Sequence, residues 1–171
     1  IVAVARLVMA EVENMDRLRS QYRVDVNGID RGHDISAQAW QHVVHRALVT
    51  AAAELVGVCR YLLDSAVEYA KQRQQFGRPI GSFQGLQWQL VDAALELERA
   101  AAAVSWAAMC VDAGVADAPH AVHSAKLEAG SAARRCARTS LQVHGGIGYT
   151  WEHGLHYWLR RAYAGDAFMG P

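Results

Sequence analysis

The chain has 171 residues, 17 basic and 17 acidic, and a formal net charge of zero. That length fits one domain whose core needs no covalent staples. The even charge balance argues against a nucleic-acid binder, and no apolar run is long enough to span a membrane. Cys59, Cys110 and Cys136 are odd in number and far apart, so a reducing, cytoplasmic setting is expected rather than a disulfide framework.

The opening stretch IVAVARLVMAEVENMDRLR is apolar but has no basic segment ahead of it, so it does not read as a signal peptide. It lacks an initiating methionine and reads as part of a longer or processed product. Next, YRVDVNGIDRG alternates Val24, Val26 and Ile29 around Asn27-Gly28, the pattern of a β-hairpin or its remnant. Too few strands follow to make a sheet that stands alone. Residues 1–33 are therefore expected to be the edge of a larger β unit or an irregular lead-in.

Residues 34–171 read as helices. Asp34 or Ser36 can cap the first, which is expected to run to about Gln74. Its apolar positions Leu48, Ala51, Ala52, Leu55, Val58, Cys59 and Leu62 recur at three and four. Gly77 and Pro79 stop it. The second helix is expected over about Phe83 to Ala113, carrying Leu86, Leu90, Ala93, Ala94, Leu97 and Ala101, with Gly114 as its stop. Ala118-Pro119 opens a third that ends near His144. A fourth is expected from about Glu152 to Met169. Short links between long helices make antiparallel neighbours, so the fold class is mainly α, an up-down-up-down four-helix bundle with a short β remnant at the N-terminus.

Two stretches at helix ends carry chemistry. In RQQFGRPIGSFQ, Arg73 offers a planar fork suited to phosphate. Gln75 and Gln84 offer amides, and Phe76 and Phe83 offer flat apolar faces. Gly77 and Gly81 permit close approach. In LQVHGGIGYTWE, Gln142 precedes Gly145, Gly146 and Gly148. Glycines at a helix end expose backbone amides, and with Arg73 they point to a nucleotide phosphate. The Rossmann fingerprint does not apply, because GGIGYT does not follow a strand.

YAKQRQQFGRPIGSFQGLQ followed by LQVHGGIGYTWEHGLHYWLRRA resembles the C-terminal helical domain of the acyl-CoA dehydrogenase flavoproteins, over residues 40–171. The stretch from Ala51 to Gly81 is especially similar to the actinobacterial branch. The resemblance implies a full subunit with an N-terminal helical domain, a middle β domain and this bundle. It implies α,β-dehydrogenation of an acyl-CoA, with a glutamate taking the α-proton and FAD taking the β-hydrogen as hydride. By the same resemblance Arg73 contacts the FAD pyrophosphate, while Gln75, Phe76 and Gln84 line its adenosine and ribityl side. Gln142, Val143, His144, Gly145 and Gly146 form the second FAD segment. Both segments reach a partner subunit's FAD.

One departure matters. In the family the catalytic glutamate stands in a Tyr-Glu-Gly-Thr context, and here Phe168-Met169-Gly170 aligns with it. A thioether is too weakly basic to take a proton. Glu54 and Asp166 are the carboxylates considered as replacements. The leading expectation is a subunit of a heteromer, whose homologous partner carries the base and whose substrate is an acyl-CoA, with steroid-CoA as the lineage-level case. The alternatives are a homotetramer with a relocated base and a non-enzymatic assembly or regulatory subunit.

The remaining constellations read as structural. His42 and His45, His120 and His123, and His153 and His156 are helix-spaced pairs without a convincing third metal ligand. Arg134, Arg135 and Arg138 read as a solvated or intersubunit face. Arg46 is read either as a substrate-side arginine or as a surface one. Trp88, Trp106, Trp151 and Trp158 are expected as core or interface anchors.

Overall fold

A computed structural model of the chain describes residues 7–27 and 33–170. Strands β1 (Val8–Val12) and β2 (Gln21–Asp25) pair antiparallel, Met9 opposite Val24 and Glu11 opposite Tyr22. Every residue of both strands is exposed in this chain. The hairpin differs from the one expected at Asn27-Gly28. Its connection is residues 13–20, and Gly28 and Ile29 lie outside the described residues.

Four helices follow, α1 (Ala37–Gln72), α2 (Gln84–Ala113), α3 (Ala118–His144) and α4 (Leu155–Ala167). The local reasons are the expected ones for the first three. Ser36 Oγ accepts the Ala39 N–H at 3.1 Å and caps α1. Gly114, at φ 63, closes α2 in the left-handed conformation that glycine adopts without a Cβ penalty. Pro119 sits in the first turn of α3. The fourth helix starts later than expected. Gly145–Tyr149 form a 3₁₀ turn, a further turn follows, and Gly154 opens α4 only at Leu155.

α3 is the central helix and packs against α1, α2 and α4. Ala121, Ala125, Ala129, Ala132, Ala133 and Ala137 are all buried on it. Alanine loses no rotamer entropy and keeps the backbones close. The anticipated α1 stripe is buried in full, from Leu48 to Leu62. Cys59 of α1 and Cys136 of α3 share a hydrogen bond in this core, which together with burial pushes the Cys59 thiol well up. A smaller cluster of Ala66, Ala70 and Val143, with Tyr69, Ile80, Leu86 and Leu90, joins the end of α1 to the start of α2 and the end of α3.

The end of α4 is held by a buried cation. Lys126 Nζ donates to the carbonyls of Asp166 at 2.7 Å and Gly170 at 2.8 Å. Positive charge suits a helix C-terminus. Burial draws the Lys126 pKa down, and the nearby Asp166 carboxylate works against that. Lys126→Met leaves both carbonyls without their donor. It is expected to cost about 1–3 kcal/mol, read as a lower urea midpoint together with faster hydrogen exchange over residues 155–170.

A candidate cofactor-binding end of the bundle

α1 runs into a tight hairpin. β3 (Gln74–Gln75) pairs with β4 (Arg78–Pro79), and Gln75 faces Arg78. The two residues between them, Phe76 and Gly77, both have positive φ, 53 and 77. This is the type I′ pattern that matches strand twist. Glycine adopts it freely, but phenylalanine pays on the order of 1 kcal/mol for it. Little packing offsets that cost, since Phe76 is 91% exposed and touches only the edge of Phe83, at 6.1 Å between centroids.

The hairpin is firmly seated. The Arg73 N–H donates to Tyr69 O, and the Arg73 carbonyl accepts from Ile80 N at 2.8 Å. The 3₁₀ turn Ile80–Ser82 lies tight on α1, where a Cβ at Gly81 would meet Ala70 O at 3.0 Å. Arg78 lies over the Phe83 ring at 4.1 Å, and Gln87 donates to Gly81 O at 2.9 Å. The Arg73 guanidinium, by contrast, is exposed and has no hydrogen-bond or ion-pair partner among the described residues.

The second stretch ends α3 beside the first. Val143 and His144 are buried, Gln142 is exposed, and Gly145 turns the chain at φ 59. His144 Nδ1 lies 2.7 Å from Ser140 O. A carbonyl can only accept, so Nδ1 carries the proton and Nε2 accepts from Ser65 Oγ at 3.4 Å. The ring stacks on Tyr69 and meets His153 edge-on. Burial lowers its pKa, the Ser140 carbonyl opposes this, and His153 adds to it. The Gly145 N–H is already donated to Leu141 O, and a helix C-terminus presents the negative end of its dipole. An anion here therefore depends on the Arg73 side chain more than on the glycine amides.

The bundle thus brings both stretches to one end. Arg73, Gln75, Phe76, Gln84, Gln142 and Gly146 are at its surface, Gly145 is half-buried, and Val143 and His144 face inward. Tyr69, which links the two stretches by stacking on His144, was not singled out in the sequence. Its place one turn before Arg73 is the only local sign. Gln142 also borders a polar cleft of about 510 Å³ with Gln89, Arg138 and Thr139.

The family pattern described as acyl-CoA dehydrogenase, C-terminal domain, matches residues 37–171. The chain belongs to the acyl-CoA dehydrogenase family. It is 40% identical over 121 residues to the acyl-CoA dehydrogenase IpdE2 of Mycobacterium tuberculosis, covering 71% of this chain and 36% of that protein. Among solved structures, the steroid acyl-CoA dehydrogenase Tcur3481-Tcur3483 is similar at TM-score 0.86 and 25% identity, over 96% of this chain and 45% of that one. The ChsE4-ChsE5 complex from Mycobacterium tuberculosis follows at TM-score 0.80 and 26% identity, over 94% and 44%. An FAD complex of PigA is similar at TM-score 0.66 and 33% identity, over 70% and 31%. The chain therefore spans less than half the length of each of these relatives.

Against the family's chemistry, the two carboxylates considered as replacement bases are engaged. Glu54 accepts from Arg19 and, at 2.7 Å, from Arg161 Nε. Arg161 also reaches the buried Asp16 at 3.3 Å. Burial by itself would raise the Glu54 pKa, but the hydrogen bonds and charges of Arg19 and Arg161 outweigh it and the net shift is downward. Asp166 is paired with Arg134. Met169, at φ 61, lies in the turn just past α4 and is exposed. Arg135 binds Glu96, Arg46 reaches Asp112 at 3.4 Å on the surface, and Trp158 stacks on Tyr61. Trp88, Trp106 and Trp151 are exposed and are not core anchors in this chain. No group of three His, Cys, Asp or Glu side chains is placed to hold a metal among the described residues.

The His144 pKa is depressed in the fold, so its protonation favours the unfolded chain. Its neutral form stabilises the fold fully above the ordinary histidine pKa of about 6.5. That stability is lost as pH falls from there toward the folded value. Thermal midpoints of the protein are expected to drop between pH 7.5 and 5.5, and His144→Gln should flatten the drop. An unchanged slope in His144→Gln would contradict the assignment.

Proposed function

We propose that this chain is part of an FAD-dependent acyl-CoA dehydrogenase assembly and completes the FAD site of a neighbouring homologous subunit. The observation that carries this reading is Arg73, a guanidinium unpaired among the described residues, beside a strained and exposed Phe76 on a hairpin seated firmly against the bundle. A cation and a flat ring held ready outside the core fit the pyrophosphate and the rings of FAD. Gln75, Gln84 and Gln142 add amides around them. Val143 and His144 lie beneath this surface and would act by fixing the backbone at Gly145.

Bound FAD would supply the acceptor for the β-hydrogen. This chain's own part is to bind and orient. Removal of the α-proton falls to the homologous partner, because Met169 cannot accept a proton and Glu54 and Asp166 are held in ion pairs. The same ion pairs weigh against the homotetramer with a relocated base. The solved ChsE4-ChsE5 complex supports a heteromer, and the steroid enzyme Tcur3481-Tcur3483 supports a bulky steroid-CoA thioester as substrate. Residues 34–171 form the bundle in this reading. The strands within 7–27, exposed on both faces, form the edge of a middle β domain. The assembly is assigned to the cytosol, and no helix among the described residues is long and apolar enough to cross a membrane.

Two variants test this in the complex co-purified with its homologous subunit. Arg73→Ala should weaken FAD binding roughly 10- to 100-fold, the scale of one charge-assisted contact, with subunit stoichiometry unchanged by native mass spectrometry. Phe76→Gly should keep or raise the melting temperature while flavin occupancy falls. A complex that stays colourless throughout supports the non-enzymatic reading instead.

A further inference from the structure

Three arginines of α3 stand on one face of the helix. Ser131, Arg134, Arg135, Arg138 and Gln142 recur at steps of three and four, which aligns them. That face and the side of α2 carrying Gln89 and Glu96 bound the cleft of about 510 Å³. At 1.5 Å per residue, the cleft follows α3 for about 16 Å from Gln142 back to Ser131. Its volume lies within the roughly 300–1,000 Å³ of small-molecule sites. Every side chain that lines it is polar. That weighs against an acyl chain as occupant, and the concave shape weighs against a nucleic acid or a flat lipid surface.

Like charges three and four residues apart repel each other on a helix. Carboxylates offset only part of this repulsion here. Glu96 accepts from Arg135 Nε at 3.0 Å and from Ser131 Oγ at 3.3 Å, which leaves the two terminal nitrogens of Arg135 unclaimed. Arg134 is held by Asp166, which packs on Gly130 so closely that a Cβ there would meet its Oδ1. Arg138 is exposed and has no hydrogen-bond or ion-pair partner among the described residues. Three arginines therefore face Glu96 within the cleft and Asp166 beside it, and positive charge is left over. A second observation points the same way. Thr139 lines the cleft and is only 6% exposed, yet its hydroxyl has no hydrogen-bond partner among the described residues. A buried hydroxyl normally finds one. Surplus guanidinium forks around a buried free hydroxyl complement a phosphoryl group and its polar carrier.

We propose that the cleft between α2 and α3 binds a small phosphorylated molecule, with its phosphoryl group on Arg138 and Arg135 and its polar remainder on Thr139 and Gln89. The site is independent of the cofactor reading. It runs along the side of the bundle, whereas Arg73 and Phe76 lie at its end, and it shares only Gln142 with the cofactor stretches.

The test uses the purified assembly, with FAD added to saturation and inorganic pyrophosphate as the probe. Isothermal titration calorimetry is run at one ionic strength, held with sodium chloride. Saturable binding of one pyrophosphate per copy of this chain is expected. Arg138→Gln should weaken it roughly ten-fold or more, the scale of one charge-assisted contact. Arg138→Lys keeps the charge and loses the fork, so its affinity should fall between the two. Arg60→Gln removes an exposed arginine of α1 outside the cleft and should leave the affinity unchanged. Far-UV circular dichroism and flavin content per copy should stay the same in all three variants. A colourless assembly that still binds pyrophosphate through Arg138 would fail the cofactor reading and support this one. Absence of saturable binding would overturn the proposal. So would equal weakening by Arg60→Gln and Arg138→Gln, which would mean diffuse attraction of anions to the surface. Loss of flavin in Arg138→Gln would overturn it too, by making the cleft part of the cofactor site.

Discussion

The close approach of α3 to its neighbours is the constraint on which the rest depends. Its alanines at 121, 125, 129, 132, 133 and 137 are buried, so the helix can sit between α1 and α2 without large side chains to hold them apart. Because α1, α2 and α3 alternate in direction, the last turn of α3 arrives beside the last turn of α1 and the first of α2. The Ala66, Ala70 and Val143 cluster and the Tyr69–His144 stack lock that meeting point. A bulkier residue in the middle of α3 would move the two loops apart and separate Arg73 from Gln142.

Charge is used in two ways along the chain. Six arginines among the described residues are committed to carboxylates: Arg19 and Arg161 to Glu54, Arg134 to Asp166, Arg135 to Glu96, Arg99 to Glu128 and Arg46 to Asp112. The Asp16, Arg19, Glu54 and Arg161 network fastens the N-terminal segment to α1 and α4. Lys126 is buried to close α4. Arg73 has no hydrogen-bond or ion-pair partner among the described residues, as is also true of Arg17, Arg23, Arg60 and Arg138, and it is set apart by its place on the hairpin beside the exposed Phe76. That placement, more than the lack of a partner, makes Arg73 the candidate binding group.

Much of the bundle was legible in the sequence because its signals are local. Ser36, Gly114 and Pro119 act within one turn of the chain, and the α1 stripe repeats at helical spacing. The start of α4 was not legible, since the chain continues in turns from Gly145 to Gly154 before the helix opens at Leu155. The β1–β2 pairing was missed because the connection 13–20 carries no tight-turn pair, whereas Asn27-Gly28 does. The ion network could not be seen at all. Its members are far apart in the chain and meet only when α4 packs against α1. The two candidate stretches were found as motifs, but their side chains divide by depth. Val143 and His144 look like their neighbours in the sequence and differ only in burial.

The most direct measurement is a structure of the flavin-loaded assembly that includes the homologous subunit. The Arg73 guanidinium is predicted to lie about 3 Å from a phosphate oxygen of an FAD bound chiefly by the adjoining chain. An FAD whose phosphates are held entirely by one subunit, with Arg73 turned to solvent, would contradict the account.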